Sequence, residues 1–160
     1  MVLLFLIAAL TSRGCVGKTD PHEKTALPDA VSLTGYIVID GNTLYFDEVE
    51  IITSEDTGRI SDLELSSGDM PNGYCVRRLG KETVTFKITD ETVYTFVDIN
   101  LFFIEDADGD RLYTTSDLGE FMRHLNESYN DTPPAQKVPF FIQVRDGVVI
   151  GITEEFEFTI

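Results

Sequence analysis

The sequence predicts a mostly β domain with one or two short helices. Three observations carry that prediction. Short runs of residues alternate apolar and polar with period two, Gly-, Asn- and Asp-containing turns punctuate those runs, and only one clear stretch spaces its apolar residues at three and four. Period two sends alternate side chains to opposite faces of a strand, whereas spacings of three and four gather them on one stripe of a helix.

Leu33-Thr34-Gly35-Tyr36-Ile37-Val38-Ile39 reads as the first strand, and Asp40-Gly41-Asn42 supplies residues that tolerate positive φ for a tight turn. A long second strand covers 43–53, with Leu44, Phe46, Val49 and Ile51 apolar; the change of parity between Phe46 and Val49 predicts a bulge near Asp47-Glu48. Ser54-Glu55-Asp56-Thr57 has the look of a helix cap, so a short helix is expected within 54–65, interrupted by Gly58. Asp69-Met70-Pro71-Asn72-Gly73 is a turn in which Pro fixes φ and Asn-Gly accepts positive φ. Strands follow at 74–79, at 82–88 with Val84, Phe86 and Ile88 on one face, and at 92–97. The continuous apolar run 101–104 predicts a buried strand or a core-facing segment, and 111–115 a short strand.

The helix is expected from Asp117 to Glu127. Ser116 or Asp117 caps it, Leu118, Phe121, Met122 and Leu125 form its apolar stripe, and Arg123 and His124 lie toward the C-terminal end, where positive charge is favoured. Residues 130–136, with Pro133-Pro134, form a loop. Residues 138–152 then close the fold as a hairpin turning at Arg145-Asp146-Gly147, since Asp-Gly between apolar runs is a strong hairpin signal. Glu155-Phe156-Glu157-Phe158-Thr159 alternates like a last edge strand.

This element order fits a small closed or half-closed barrel. An OB-like barrel has a helix between its third and fourth strands and matches the helix before Val138; a two-layer α+β sheet is the alternative. The segments from Gly35 to Gly41, Leu44-Tyr45-Phe46-Asp47, Asp69 to Tyr74, and Val144 to Val149 resemble uncharacterised exported proteins of Gram-positive bacteria, lipoproteins among them, over most of 33–158. These motifs are turns and strands, so the resemblance implies an address and a fold and carries no activity.

The N-terminus points to the same address. Residues 1–10 are an almost unbroken apolar run, and Thr11-Ser12-Arg13-Gly14-Cys15 follows with small and polar residues. A secretory signal combines a positive start, an apolar stretch of roughly 7–15 residues and small residues before the cut. The apolar stretch and Gly14-Cys15 fit a lipoprotein signal in which Cys15 becomes the lipidated first residue. Met1-Val2-Leu3 lacks a basic residue, and Ser12 and Arg13 depart from the usual Leu and small residue; cleavage without lipidation is the alternative. The run is half of the roughly 20 apolar residues that a membrane-spanning helix needs. Residues 1–15 are therefore expected as signal, 16–32 as a polar, proline-containing tether, and 33–160 as one β-rich domain. The expected location is extracytoplasmic, either secreted or on the outer face of the cell membrane, touching that membrane only through the lipid.

Charge narrows the partners. After Cys15 the chain holds 28 acidic residues against 11 basic ones, a formal −17. Such a surface repels nucleic acid and anionic headgroups, leaving a protein or small molecule as the expected ligand. With Cys15 lipidated, Cys75 has no disulfide partner and reads as a small buried apolar side chain on a strand. Only His22 and His124 are present, which speaks against a histidine-rich zinc centre or a Ser-His-Asp set. Carboxylate pairs such as Glu48/Glu50 and Glu154/Glu155 leave a hydrolase of cell-wall or sugar substrates as the rival to a non-enzymatic binding module. Asp106, Asp108, Asp110 and Asp117 approach the carboxylate spacing of a calcium loop, which would make this a calcium-stabilised domain. Arg111 stands where that loop requires Gly, and Asp117 where it uses Glu; without Ca²⁺ the stretch is a solvated turn, and no other cofactor is expected. Tyr36, Tyr45, Phe46, Tyr94, Phe96, Phe102, Phe103, Phe140 and Phe141 supply either the core or the wall of a groove.

Overall fold

The computed structural model describes residues 29–80, 82–105, 109, 111–129 and 138–158. The signal, Cys15, most of the tether, Asp106, Asp108, Asp110 and the 130–136 loop lie outside the described residues. The fold is mostly β. Eight strands, β1 (Val31–Asp40), β2 (Thr43–Thr53), β3 (Tyr74–Arg78), β4 (Val84–Lys87), β5 (Val93–Val97), β6 (Leu112–Thr115), β7 (Phe140–Arg145) and β8 (Val148–Glu154), accompany two helices, α1 (Thr57–Asp62) and α2 (Leu118–Tyr129). Among the described residues no helix is long and apolar enough to cross a membrane.

Pairing closes the sheet into a ring. β1 pairs antiparallel with β2 and, at its other end, with β7; β2 pairs with β4; β7 pairs with β8; and β4 meets β8 in parallel through Lys87 and Val148. The closing contact is reinforced by the Lys87 amide, which donates to the Gly147 carbonyl at 3.0 Å. A three-strand meander, a helix before the fourth strand and a parallel closure agree with the OB-like expectation rather than with two flat layers. The third strand of that plan is broken. β4 and β5 both lie in parallel against β8, and the Thr89–Thr92 turn separates them. β6 then pairs with β5 at the far edge, and β3 pairs with the second half of β2.

α2 packs Phe121 and Leu125 into the core formed by Ile37, Leu44, Phe46, Ile88, Tyr94, Phe96, Phe140, Ile142, Val149 and Ile152. Tyr94 stacks on Phe121 at 4.6 Å, and Phe121 meets Phe140 edge-on at 6.0 Å. Burial pushes the Tyr94 phenol up to about 12.

Four sequence expectations are corrected. β2 has no bulge at Asp47-Glu48: its register with β1 runs unbroken from Thr43 to Glu48. The parity shift instead falls where β2 changes neighbours, from β1 and β4 to β3. α1 lacks the expected side-chain cap; the Asp56 carboxylate turns back to accept from the Thr53 amide at 2.7 Å and the Thr53 hydroxyl at 3.0 Å. β1 begins at Val31, two residues inside the expected tether, because Val31 and Ser32 find partners in Val144 and Gln143 of β7. Finally, residues 156–158 form a 3₁₀ turn and not an edge strand, with the Phe158 amide donating to the Glu155 carbonyl.

Gly35 is the corner at which β1 leaves β2 for β7, and it pairs with both Glu48 and Phe140. A Cβ there would collide with the Asp47 carbonyl oxygen and come within 2.6 Å of Phe46 Cζ. The Phe46 ring can shift, but the Asp47 carbonyl belongs to the paired strand and cannot. Gly35→Ala is therefore expected to cost about 3 kcal/mol by overpacking, read as a lower urea midpoint at unchanged slope. An unchanged midpoint would mean that the corner is open.

Candidate functional site

A cleft of about 480 Å³ opens between the start of α2, β6 and the segment that follows β5; Phe102, Phe103, Tyr113, Asp117, Glu120 and Arg123 line it. The segment is held by Asp98. Its buried carboxylate accepts the amides of Phe102 (2.9 Å), Phe103 (2.8 Å) and Ile104 (2.9 Å). Desolvation raises the Asp98 carboxyl, but the three amide donors and the charge of His124 outweigh it and hold the group below its ordinary value. Of the two expectations for 101–104, a buried strand or a core-facing segment, the strand is not formed: the run is a loop wound around one carboxylate, with Leu101 at φ 55°.

The winding places two phenyl rings on the cleft wall. Phe103 stacks on Tyr113 at 5.0 Å and packs edge-on against core Phe96 at 5.5 Å, so the wall is continuous with the core. The Arg123 guanidinium lies 5.0 Å from the Phe102 centroid and 5.3 Å from that of Phe103. Its Nε donates to Glu127 at 3.0 Å. The Tyr113 hydroxyl donates to Glu120 Oε2 at 3.1 Å; burial and this bond to a carboxylate raise the phenol.

Asp117 caps α2 as expected: its Oδ1 accepts from the amides of Gly119 (2.7 Å) and Glu120 (3.4 Å). Of the four candidate calcium ligands it is the one described residue. Among the described residues no group of three or more His, Cys, Asp and Glu is placed to hold a metal. Asp117 also borders a second cleft of about 420 Å³ with Asn42, Thr89, Asp90 and Ser116.

The remaining sequence candidates are spread through the fold. Glu50 is bound by Arg59, at 2.7 and 2.8 Å, and by Arg77; the Arg59 hydrogen bond in particular holds its carboxyl below the usual range. Glu154 and Glu155 are both buried, and Cys75 is a half-buried free thiol. Of the nine aromatic residues, Phe46, Tyr94, Phe96 and Phe140 belong to the core, while Phe102 and Phe103 form the groove. Sequence reasoning passed over Tyr113, Glu120 and Arg123. The signal was their position: Asp117, Glu120 and Arg123 stand at intervals of three, on the same stretch of the helix surface.

It also missed a buried polar chain. His124 Nε2 lies 3.3 Å from Glu154 Oε1, Ser128 Oγ lies 2.9 Å from His124 Nδ1, and the Val97 amide donates to Glu154 Oε2 at 2.9 Å. The imidazole stacks on Phe96 at 4.0 Å. Ser and His are four apart on α2, with both His124 and Glu154 sealed from solvent; this chain ties α2 to β5 and β8.

Comparison of the chain with protein-family models, curated proteins and solved structures found no match. The site's own geometry is what bears on function.

Proposed function

We propose that the protein is an extracytoplasmic, non-enzymatic binding or accessory module, anchored by a lipid on Cys15, whose binding site is the cleft between α2 and β6. One observation carries the binding reading. The cleft combines aromatic walls continuous with the core and polar atoms with no bond among the described residues: the terminal nitrogens of Arg123, Oδ2 of Asp117 and Oε1 of Glu120. Concave, partly apolar sites with a few convergent polar groups are where small ligands bind. The anchor rests on the apolar run before Gly14-Cys15.

A carboxylate-dependent hydrolase is the alternative, and Asp117 and Glu120 stand in the same cleft. Each has one oxygen committed, to the cap of α2 and to Tyr113 respectively, which favours positioning and binding over proton transfer.

Two measurements test the proposal. Expressed in a Gram-positive host, the wild type is expected in the membrane fraction as a species that starts at Cys15 and carries acyl mass, lost in Cys15→Ala; a soluble species starting at Met1 overturns the anchor. Binding is read on the purified protein by ¹H–¹⁵N spectra against a broad panel of small molecules. Shifts gathered on Phe102, Phe103, Tyr113 and Arg123 support the cleft, and a folded protein in which no compound moves them removes it.

A further inference from the structure

We infer that the cleft takes a small zwitterion, a free dipeptide or a molecule of that size, with an apolar side chain. This rests on the cleft being a binding site and adds the ligand's chemical class. The polar atoms left open there have both signs and a fixed order. Asp117, Glu120 and Arg123 follow one another at three-residue intervals, so the carboxylates lie at the N-terminal end of α2 and the guanidinium one or two turns further on. At 1.5 Å per residue the axial separation from Asp117 to Arg123 is about 9 Å. Two extended residues span up to about 7 Å, and side chains bridge the difference.

Each end of the cleft has a reason to face the ligand. Arg123 spends Nε on Glu127 and sits over Phe102 and Phe103, while its two terminal nitrogens make no bond among the described residues and are left for a carboxylate. Asp117 Oδ2 and Glu120 Oε1 present acceptors to an ammonium group. Beside these groups, Phe102, Phe103 and Tyr113 supply apolar lining against which a side chain packs. A ligand of one charge satisfies one end and leaves the other repelled or unpaired. A zwitterion satisfies both, and discrimination of this kind comes from unpaired groups as much as from new contacts.

The probes are alanyl-phenylalanine, its N-acetyl derivative, which lacks the ammonium, and its C-terminal amide, which lacks the carboxylate. They are titrated into the full chain and followed by ¹H–¹⁵N shifts of Phe102, Phe103, Tyr113 and Arg123. The free dipeptide is expected to bind at least tenfold more tightly than either blocked form. Arg123→Gln, at a half-exposed position, should lower affinity for the free dipeptide tenfold and leave that for the amide unchanged. Equal affinity for the three probes, or tightest binding of the cationic amide, overturns the inference while the cleft remains a binding site. If none of the three moves the cleft resonances the inference also fails, and the wider panel then decides separately whether the cleft binds anything.

Discussion

Asp98→Ala is expected to destabilise the protein by about 4 kcal/mol and to disorder the aromatic wall of the cleft. Three consecutive amides, of Phe102, Phe103 and Ile104, end on this one buried carboxylate. Hydrogen bonds to a charged group are worth about 1.5–3 kcal/mol each, and their loss is compounded when the donors remain buried and unpaired. The three are not additive, because once one amide is released the loop turns the others toward water; about 4 kcal/mol is still a large share of a domain's 5–15 kcal/mol. Asp98→Asn keeps the shape and one acceptor and should cost about half as much. The sign of the pH dependence follows from the lowered carboxyl. A group held below its unfolded value contributes fully above that value, about 3.9 for Asp, and loses its contribution as pH falls through the lower folded value. The stability difference between wild type and Asp98→Ala, measured by urea unfolding, should therefore be constant from pH 7 to about 5 and shrink below about 4. A pH-independent difference would assign the effect to packing alone. Spectra of the variant should show the Phe102 and Phe103 resonances displaced while those of β1, β2 and β7 stay in place.

That loop also marks the limit of what the sequence discloses. All eight strands and helix α2 are legible because each obeys a local rule: period two on a strand, three and four on a helix, Asp-Gly or Asn-Gly at a turn. The run 101–104 carries no period, and an apolar run by itself does not distinguish a strand from a loop wound about a carboxylate, in which Leu101 and Phe102 end up exposed. The closure is illegible for another reason: it rests on Lys87 meeting Val148, a pairing between residues 61 apart that no local pattern encodes. The parity shift in β2 is a real signal, but it reports a change of partner strand, which one strand's sequence cannot separate from a bulge. As for the cleft, Phe102 and Phe103 stand out as aromatic residues beyond what one core face needs. Tyr113 and Arg123 become part of it only once β6 and α2 are side by side.

Breaking the His124–Glu154 pair from either side should cost about 3–5 kcal/mol, and removing both residues together should cost no more than the worse single change. Both side chains are 1 % exposed, so His124→Leu leaves a buried carboxylate without its imidazole, and Glu154→Leu removes the carboxylate from beside His124 and takes the acceptor from the Val97 amide. Losing one member of a buried polar pair costs more than replacing both with apolar side chains, because the stranded group bears its desolvation alone. The double-mutant cycle by urea unfolding is the measurement, and strictly additive losses would show that the two residues act independently. The pair had a trace in the sequence. Glu154 lies two residues beyond Ile152, on the inward parity of β8, and His124 lies three beyond Phe121 on the apolar stripe of α2. Each is a polar residue at a position the pattern reserves for the core, and such residues are kept when each supplies the other's partner. Their consequence reaches the cleft. Glu120 and Arg123 ride on the same helix, one turn and one residue away, so the buried contact that fixes the rotation of α2 against β8 also fixes which of their atoms face the cleft. His124→Leu is accordingly expected to weaken dipeptide binding as well as stability, although its imidazole lies beneath the cleft wall, stacked on Phe96, and does not line the cleft.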